Sequence, residues 1–431
     1  MSGAARRKRP ARGRSRQRPR PAARSGALRS VLARPAYRRL WAARTVSQCG
    51  DVAQFTTLAL LVLHLTGSGL GVSGAVLAEI APVLLLAPLA GALVDRLPRV
   101  AVMVAADLAR AMLASVLALW HGDIAIVYAV AFGLSAGSVF FNPAAGSLLP
   151  TLVDDEQLVA ANSGIWSAAV LSQILLAPLA GLLATTAGFG WAFAANAASF
   201  AASAALLHGL RTSEQPPPVV ATSVWTQSRE ALALLARDTL LRALAIAQAL
   251  AALSAGATSA LLVVLAGRRL HTPGGGYGLL LAAIGAGALI GPLLLTRFSA
   301  HVRRPGVVFT AFGVRGLVDL ALATVTALPA ALGALVFYGL GTSTGNVTFS
   351  SVIQSHVPAE LRGRVFSVFD LIWQSMRLAS LLLGAVLADT LGIRAVYYTG
   401  GALLLTAALG WLLTISPDNS QRSPVTAPGP S

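Results

Sequence analysis

Lysine is almost missing from this chain: Lys8 is the only one in 431 residues. A phosphate-gripping P-loop needs its lysine, so nucleotide hydrolysis of that kind is excluded. Cysteine is equally scarce. Cys49 stands alone, which excludes an internal disulfide and leaves the redox compartment unreadable. The six histidines fall without metal-ligand spacing. No nucleophile and base sit at a workable separation either, so soluble-enzyme chemistry has no support, and neither a metal nor a cofactor is expected. Charge of either sign is thin: 11% of the residues are Asp, Glu, Lys or Arg, about half the share in an ordinary soluble protein. Work against a gradient would have to draw on an ion gradient or a partner.

What the chain has in excess is apolar residues, 55% of the total, gathered in long blocks. About 20 residues at ~1.5 Å each cross a bilayer core of ~30 Å as a helix. Blocks near 41–65, 71–94, 100–120, 124–149, 158–184, 187–210, 240–266, 277–295, 305–327, 329–352, 365–388 and 393–415 meet that length. The expected fold is an all-α membrane protein of twelve transmembrane helices in two six-helix halves. Residues 1–39 hold thirteen arginines and Lys8 with no acidic residue. Positive charge collects on the cytoplasmic side, so both termini are expected in the cytoplasm of a multi-pass protein of the cell membrane.

Composition divides the chain further. Residues 1–36 read as a disordered basic cytoplasmic tail, 37–210 as the first half, 211–239 as a cytoplasmic linker, 240–415 as the second half and 416–431 as a second tail. The linker opens on the polar, proline-rich run Arg211–Pro218 and continues into an interfacial helix over Trp225–Arg237. The basic tail suits contact with anionic lipid, or serves only to reinforce topology. It has no aromatic residue on which a base could stack, so no nucleic-acid partner is expected. No short apolar stretch with a cleavage site follows it, which makes it a poor secretory signal.

The halves repeat one another. Phe132-Gly133-Leu134 followed by Asn142 parallels Tyr338-Gly339-Leu340 followed by Asn346. Val153–Leu158 parallels Val357–Leu361, and Ala187-Gly188-Phe189 parallels Leu391-Gly392-Ile393. A tight charged hairpin, Asp95-Arg96-Leu97-Pro98-Arg99, joins the second and third blocks directly after Gly91. These motifs in these loops resemble the major facilitator superfamily. Trp41–Asp51, Phe141-Asn142-Pro143-Ala144 and Pro358–Phe366 are similar to its enterobactin-exporter and macrolide-efflux branch.

That resemblance implies alternating access around a midplane site between the halves. It implies a cytoplasmic gate in which Gly91, Asp95, Arg96 and Arg99 meet the start of helix 11 near Arg364. It also implies an antiporter-like element at Pro178 and Gly181 of helix 5, although Ala177 stands where the family usually has glycine. The function expected is a secondary active transporter, a proton-coupled exporter of amphipathic drug-, macrolide- or siderophore-like molecules, acting as a monomer. Its partners would be substrate, protons and membrane lipid. Uptake of a small metabolite, or a membrane sensor without flux, are the alternatives.

Ionisable groups within the blocks carry the finer expectations, because each costs at least ~2.5 kcal/mol at the bilayer centre. Asp51 lies about ten residues into helix 1, flanked by Gln48 and Gln54 on one face. It either exchanges protons or sits in a fixed ion pair, with Arg44 or with an arginine from another helix. Glu79 has no basic residue near it in its own helix and is the second coupling candidate, or else stays protonated or snorkels outward. Asp107 with Arg110, and Arg315 with Asp319, are spaced to pair within helices 3 and 9. Asp370 and Arg377 share a face of helix 11 too far apart to meet, so each is expected to pair with another helix. Gln48, Gln54, Ser138, Asn142, Gln173, Gln248, Tyr338, Asn346 and Gln374 are the sparse polar groups expected on an otherwise apolar cavity wall.

Overall fold

The computed structural model describes residues 29–94, 96–154, 157–210, 233–272, 274–297 and 304–414. Twelve helices of 20 or more residues occur among them. They are α1 (Pro35–Thr66), α2 (Gly69–Val94), α3 (Arg99–Leu119), α4 (Ile124–Leu152), α5 (Leu158–Thr186), α6 (Phe189–His208), α7 (Thr239–Ala260), α8 (Gly274–Arg297), α9 (Pro305–Thr324), α10 (Leu328–His356), α11 (Ala359–Thr390) and α12 (Ile393–Thr414). Ten are long and apolar enough to cross a membrane. Of the other two, α10 is diluted by Gly, Ser and Thr.

The ends follow local chemistry. Pro35 and Pro305 open α1 and α9, where a missing N–H costs nothing. Asp123 caps α4 by accepting from the Ala125 N–H at 2.8 Å. Several helices run past the apolar blocks, because hydropathy marks the bilayer and hydrogen bonding continues beyond it. One expectation needs correcting: the seventh block is broken at Leu261, and a separate helix, Leu262–Arg268, follows. The segment is apolar on every side and Leu262–Ala266 are all buried, so no periodicity announces the bend. Of the expected linker helix, only residues 233–237 are described and helical. The rest of it and both tails lie outside the described residues.

At the start of α7, Asp238 accepts from the Leu241 N–H at 2.9 Å and meets His356 Nε2, at the end of α10, at 2.9 Å. Burial pushes the Asp238 carboxyl upward, but the bonds from His356 and the helix N-terminus outweigh it and hold it below the usual carboxylate range. The sign follows. A carboxylate with a depressed folded pKa contributes stability above its unfolded value of about 3.9, and that contribution is lost as pH falls through the folded value. Asp238→Ala should therefore lower the melting temperature in detergent at pH 6, by the equivalent of about 1 kcal/mol. The difference from wild type should close at the acid end of the range. A difference independent of pH would show that the carboxylate charge contributes nothing.

The duplication is visible in the packing. In the first half α1 packs on α5 and α6, α3 packs on α4 and α6, and α2 packs on α4. In the second half α7 packs on α11 and α12, α9 on α10 and α12, and α8 on α10. Adding six to each helix number turns one set into the other. The halves meet along two seams, α5 with α8 and α2 with α11, which the same exchange interconverts. Gly188 and Gly392, before α6 and α12, both take positive φ.

The apolar core is arranged differently at the two ends of the bundle. At the end away from the chain termini (the far end) one continuous cluster unites both halves, running from Leu58 and Phe193 through Leu262 and Tyr277 to Tyr397. At the near end each half has its own cluster. One is built on Tyr37, Met103 and Leu148, the other on Leu244, Phe309 and Phe369. The halves are thus fused at the far end and separately packed at the near end.

Candidate functional site

Two adjoining cavities lie between the halves and share Phe55, Gln173 and Leu281 as a common wall. The first, about 390 Å³, is walled mainly by α1, α2 and α4. Gln48, Asp51, Gln54, Glu79, Ser135 and Ser138 line it. The second, about 570 Å³, belongs to the other half and is aromatic. Phe349, Phe366, Phe369, Trp373 and Tyr338 surround Gln248, Asn346 and Asp370. Phe349 holds Phe366 and Phe369 edge-on, at centroid distances of 6.5 and 4.9 Å.

Beneath the first cavity sits Arg110, which is 1% exposed. Its Nη2 donates to Asp107 and to Ser47 Oγ (3.2 Å), and its Nη1 to Ser138 Oγ (3.2 Å) and, more loosely, to Asp51 Oδ1 (3.4 Å). The guanidinium lies over Phe200 at 4.2 Å and Phe141 at 4.8 Å. One side chain of α3 therefore ties α1, α4 and α6 together. Asp107 is fully buried, whereas the Asp51 side chain is 37% exposed and faces the cavity. Asp51 is the outermost and weakest of the arginine's partners. The cation beside it is Arg110, not Arg44.

The second half carries the counterpart with different bonding. Arg315 packs on Gly341 as Arg110 packs on Gly137. A Cβ at either glycine would stand 3.0 Å or less from the arginine Cγ, so only glycine lets these stems lie flat. Here the spacing misleads: Arg315 and Asp319 form no ion pair. Arg315 donates to Tyr338 Oη at 3.0 Å and covers that ring, while Asp319 accepts from Ser254 Oγ of α7 at 3.3 Å. A phenol within reach and a serine on the neighbouring helix displace the contact within α9.

Asp370 also departs from expectation. It pairs with no other helix; it is exposed on the wall of the aromatic cavity, with no hydrogen bond or ion pair among the described residues. Arg377 belongs to α11, which meets α2, the helix of Glu79, along one seam, and the two side chains form no ion pair among the described residues. Of the two pairs expected within single helices, only Asp107 with Arg110 closes into an ion pair among the described residues, and Arg110 also reaches Asp51 of α1. Gln48, Gln54, Ser138, Gln173, Gln248, Tyr338 and Asn346 line one cavity or the other, but Asn142 and Gln374 line neither. The aromatic wall was missed. Its signal was Phe366 and Trp373, at four and three residues from Asp370 and so on one stripe of α11.

At the near end, Gly91 lies in the last turn of α2. Arg96 is exposed in the following turn, Arg99 is buried at the start of α3, and Arg364 is half-buried early in α11. Asp95 lies outside the described residues. Pro178 and Gly181 lie in the half of α5 toward the far end, against the seam with α8. A Cβ on Gly278 of α8 would stand 2.2 Å from the Ala177 carbonyl oxygen and 2.5 Å from Pro178 Cα. Gly278→Leu should thus oppose far-end closure by about 1–3 kcal/mol. In a Cys49→Ser background with a cysteine at Gln173, the variant should raise alkylation by an impermeant reagent at the far face. Unchanged labelling would show that this seam does not hold the far end shut.

The sequence profile of a family described as transmembrane secretion effector matches residues 27–428. The chain belongs to this family of major facilitator transporters. The transporter is 24% identical over 387 residues to macrolide efflux protein A of Streptococcus pyogenes, covering 86% of this chain and 93% of the relative. It is 28% identical over 371 residues to the multidrug efflux pump Tap of Mycolicibacterium fortuitum, covering 83% and 90%. In structure it is similar to a bacterial homologue of the iron transporter ferroportin in an inward-facing state. The TM-score is 0.69 at 19% identity, over 88% of this chain and 98% of that one, a likeness of fold. The transporter is a multi-pass membrane protein, and its family implies a small-molecule substrate.

Proposed function

We propose that the transporter is a proton-coupled exporter of amphipathic small molecules that works by alternating access as a monomer, with both termini in the cytoplasm. The observation that carries this reading is the uneven core. The two halves share one core at the far end and have separate cores at the near end, with the cavities between them. With the termini inside, this is a chamber sealed from the exterior and approached from the cytoplasm. Asp51, with Glu79 on the same cavity, takes the coupling role. Neutralising Asp51 leaves Arg110 with Asp107, Ser47 and Ser138, so the proton cycle orphans no buried charge. When the near end closes, Asp95 with Arg96, Arg99 and Arg364 forms the gate, and a carboxylate there gains ~0.3–1 kcal/mol from the α11 dipole.

The substrate's apolar body suits the aromatic cavity, and its polar end suits the acidic one. Asp51, Glu79 and Asp370 line the chamber, while the Arg315 guanidinium is already engaged by Tyr338. The wall therefore favours neutral or cationic amphipaths over anionic, siderophore-like ones. The efflux names of the relatives favour export over uptake. The test is accumulation of a lipophilic cationic dye in an efflux-deficient bacterium. Expression should lower accumulation, and a protonophore should restore it. Unchanged accumulation of cationic, neutral and anionic amphipaths alike would favour a sensor without flux.

A further inference from the structure

Four backbone N–H groups at the start of a helix have no partner within it, and at α2 they can be accounted for one by one. Gly71 N donates to Ser68 Oγ at 3.0 Å, and Ser68 N to Thr66 Oγ1 at 3.3 Å. The acceptors of these two bonds belong to the chain's own preceding residues. Gly69 N and Leu70 N instead donate to Asp389 Oδ1 (3.0 Å) and Oδ2 (3.1 Å). Asp389 belongs to the last turn of α11, in the other half of the molecule. Half of this helix cap is thus supplied across the seam.

Arg268, in the connection between α7 and α8, completes the assembly. Its Nη2 donates to the Gly67 carbonyl oxygen, and its Nη1 lies 3.9 Å from Asp389. It therefore grips the α1–α2 turn and the capping carboxylate together. Approach this close needs a glycine: a Cβ on Gly69 would stand 3.2 Å from Ala388 Cβ and 3.4 Å from Asp389 Oδ1. Asp389 lines neither central cavity, so substrate contact does not explain it. Its counterpart in the other half, three residues before the repeated glycine, is Thr185. That hydroxyl donates back to Gly181 and Leu182 of its own helix. Among the described residues the device is found on one seam.

We infer that Asp389 is a positioning residue for transport, the latch that holds the far end shut by capping α2 across the two halves with Arg268 as its clasp. The inference rests on the alternating-access reading, because the cap can form only while the far ends of α2 and α11 touch. Opening that end returns two N–H groups to water and separates the charge of Asp389 from the helix dipole. The loss of a helix cap corresponds to a shift of about fivefold in an equilibrium.

The experiment uses full-length protein in lipid nanodiscs, in a Cys49→Ser background. Spin labels are placed at Gly122 and Ala327, exposed far-end positions in opposite halves, and the distance distribution is measured. In Asp389→Ala the long-distance population should rise about fivefold over its parent. Asp389→Asn, which keeps an acceptor, should fall between the two. Arg268→Ala, a change at a half-exposed side chain that leaves no void, should move the distribution the same way by a smaller factor. If all three variants match the parent, the latch is wrong while alternating access stands. If the parent itself holds one distance at every pH and with every substrate tried, both readings fail, since a static molecule has nothing to latch.

Discussion

Asp51→Asn should cut proton-driven export by roughly tenfold or more while the protein still reaches the membrane in normal amount. Asparagine matches aspartate in shape and cannot exchange a proton. The change falls on a cavity-facing side chain whose bond to Arg110 is the longest that arginine makes. Arg110 keeps its buried partner and both serines, so the fold should lose less than ~1 kcal/mol. Efflux measured with and without an imposed pH gradient separates the effects. The variant should lose the response to the gradient and retain downhill exchange of substrate. An intact gradient response in Asp51→Asn, lost instead in Glu79→Gln, would move the coupling role to the second carboxylate on the cavity.

Arg110→Met should be the most destabilising single change in the first half, costing about 3–5 kcal/mol. It strips from Asp107, which is 0% exposed, its only ion-pair partner among the described residues, and removes the plate stacked between Phe141 and Phe200. Lysine should not rescue it, because a point charge cannot fork to Asp107, Ser47 and Ser138 at once. Adding Asp107→Asn to Arg110→Met should recover a substantial part of the loss, because the orphaned charge is what costs most. Thermal unfolding of the two single variants and the double variant in detergent checks this as a cycle. A single Arg110→Met variant as stable as wild type would overturn the structural role assigned to this arginine.

The contrast between these two neighbours shows where a sequence is informative and where it is not. The helices were legible because a bilayer demands a length and a composition, and both are local properties. The division into halves was legible because the motifs recur at nearly constant offset, and the helix packing repeats with it. Contacts between helices were another matter. Spacing alone treats Asp107 with Arg110 and Arg315 with Asp319 alike, yet only the first pair closes. A phenol on α10 and a serine on α7 stand nearer in the second case, and nothing within α9 encodes their presence. Arg110 reaches Asp51 because α3 packs against α6 and α4, which brings its guanidinium up against α1. Asp389 gave no signal at all. A carboxylate in the last turn of a helix looks unfavourable against the helix's own dipole, and its purpose emerges only when the start of a different helix is found beside it.

The reading stands or falls on coupled flux through the chamber. In proteoliposomes containing only the purified transporter, adding a lipophilic cation should set protons moving in the opposite direction to the cation. An imposed pH gradient should concentrate that cation, and Asp51→Asn should abolish both responses. Cation movement that ignores the gradient, or gradient-driven accumulation undiminished in Asp51→Asn, would contradict the account.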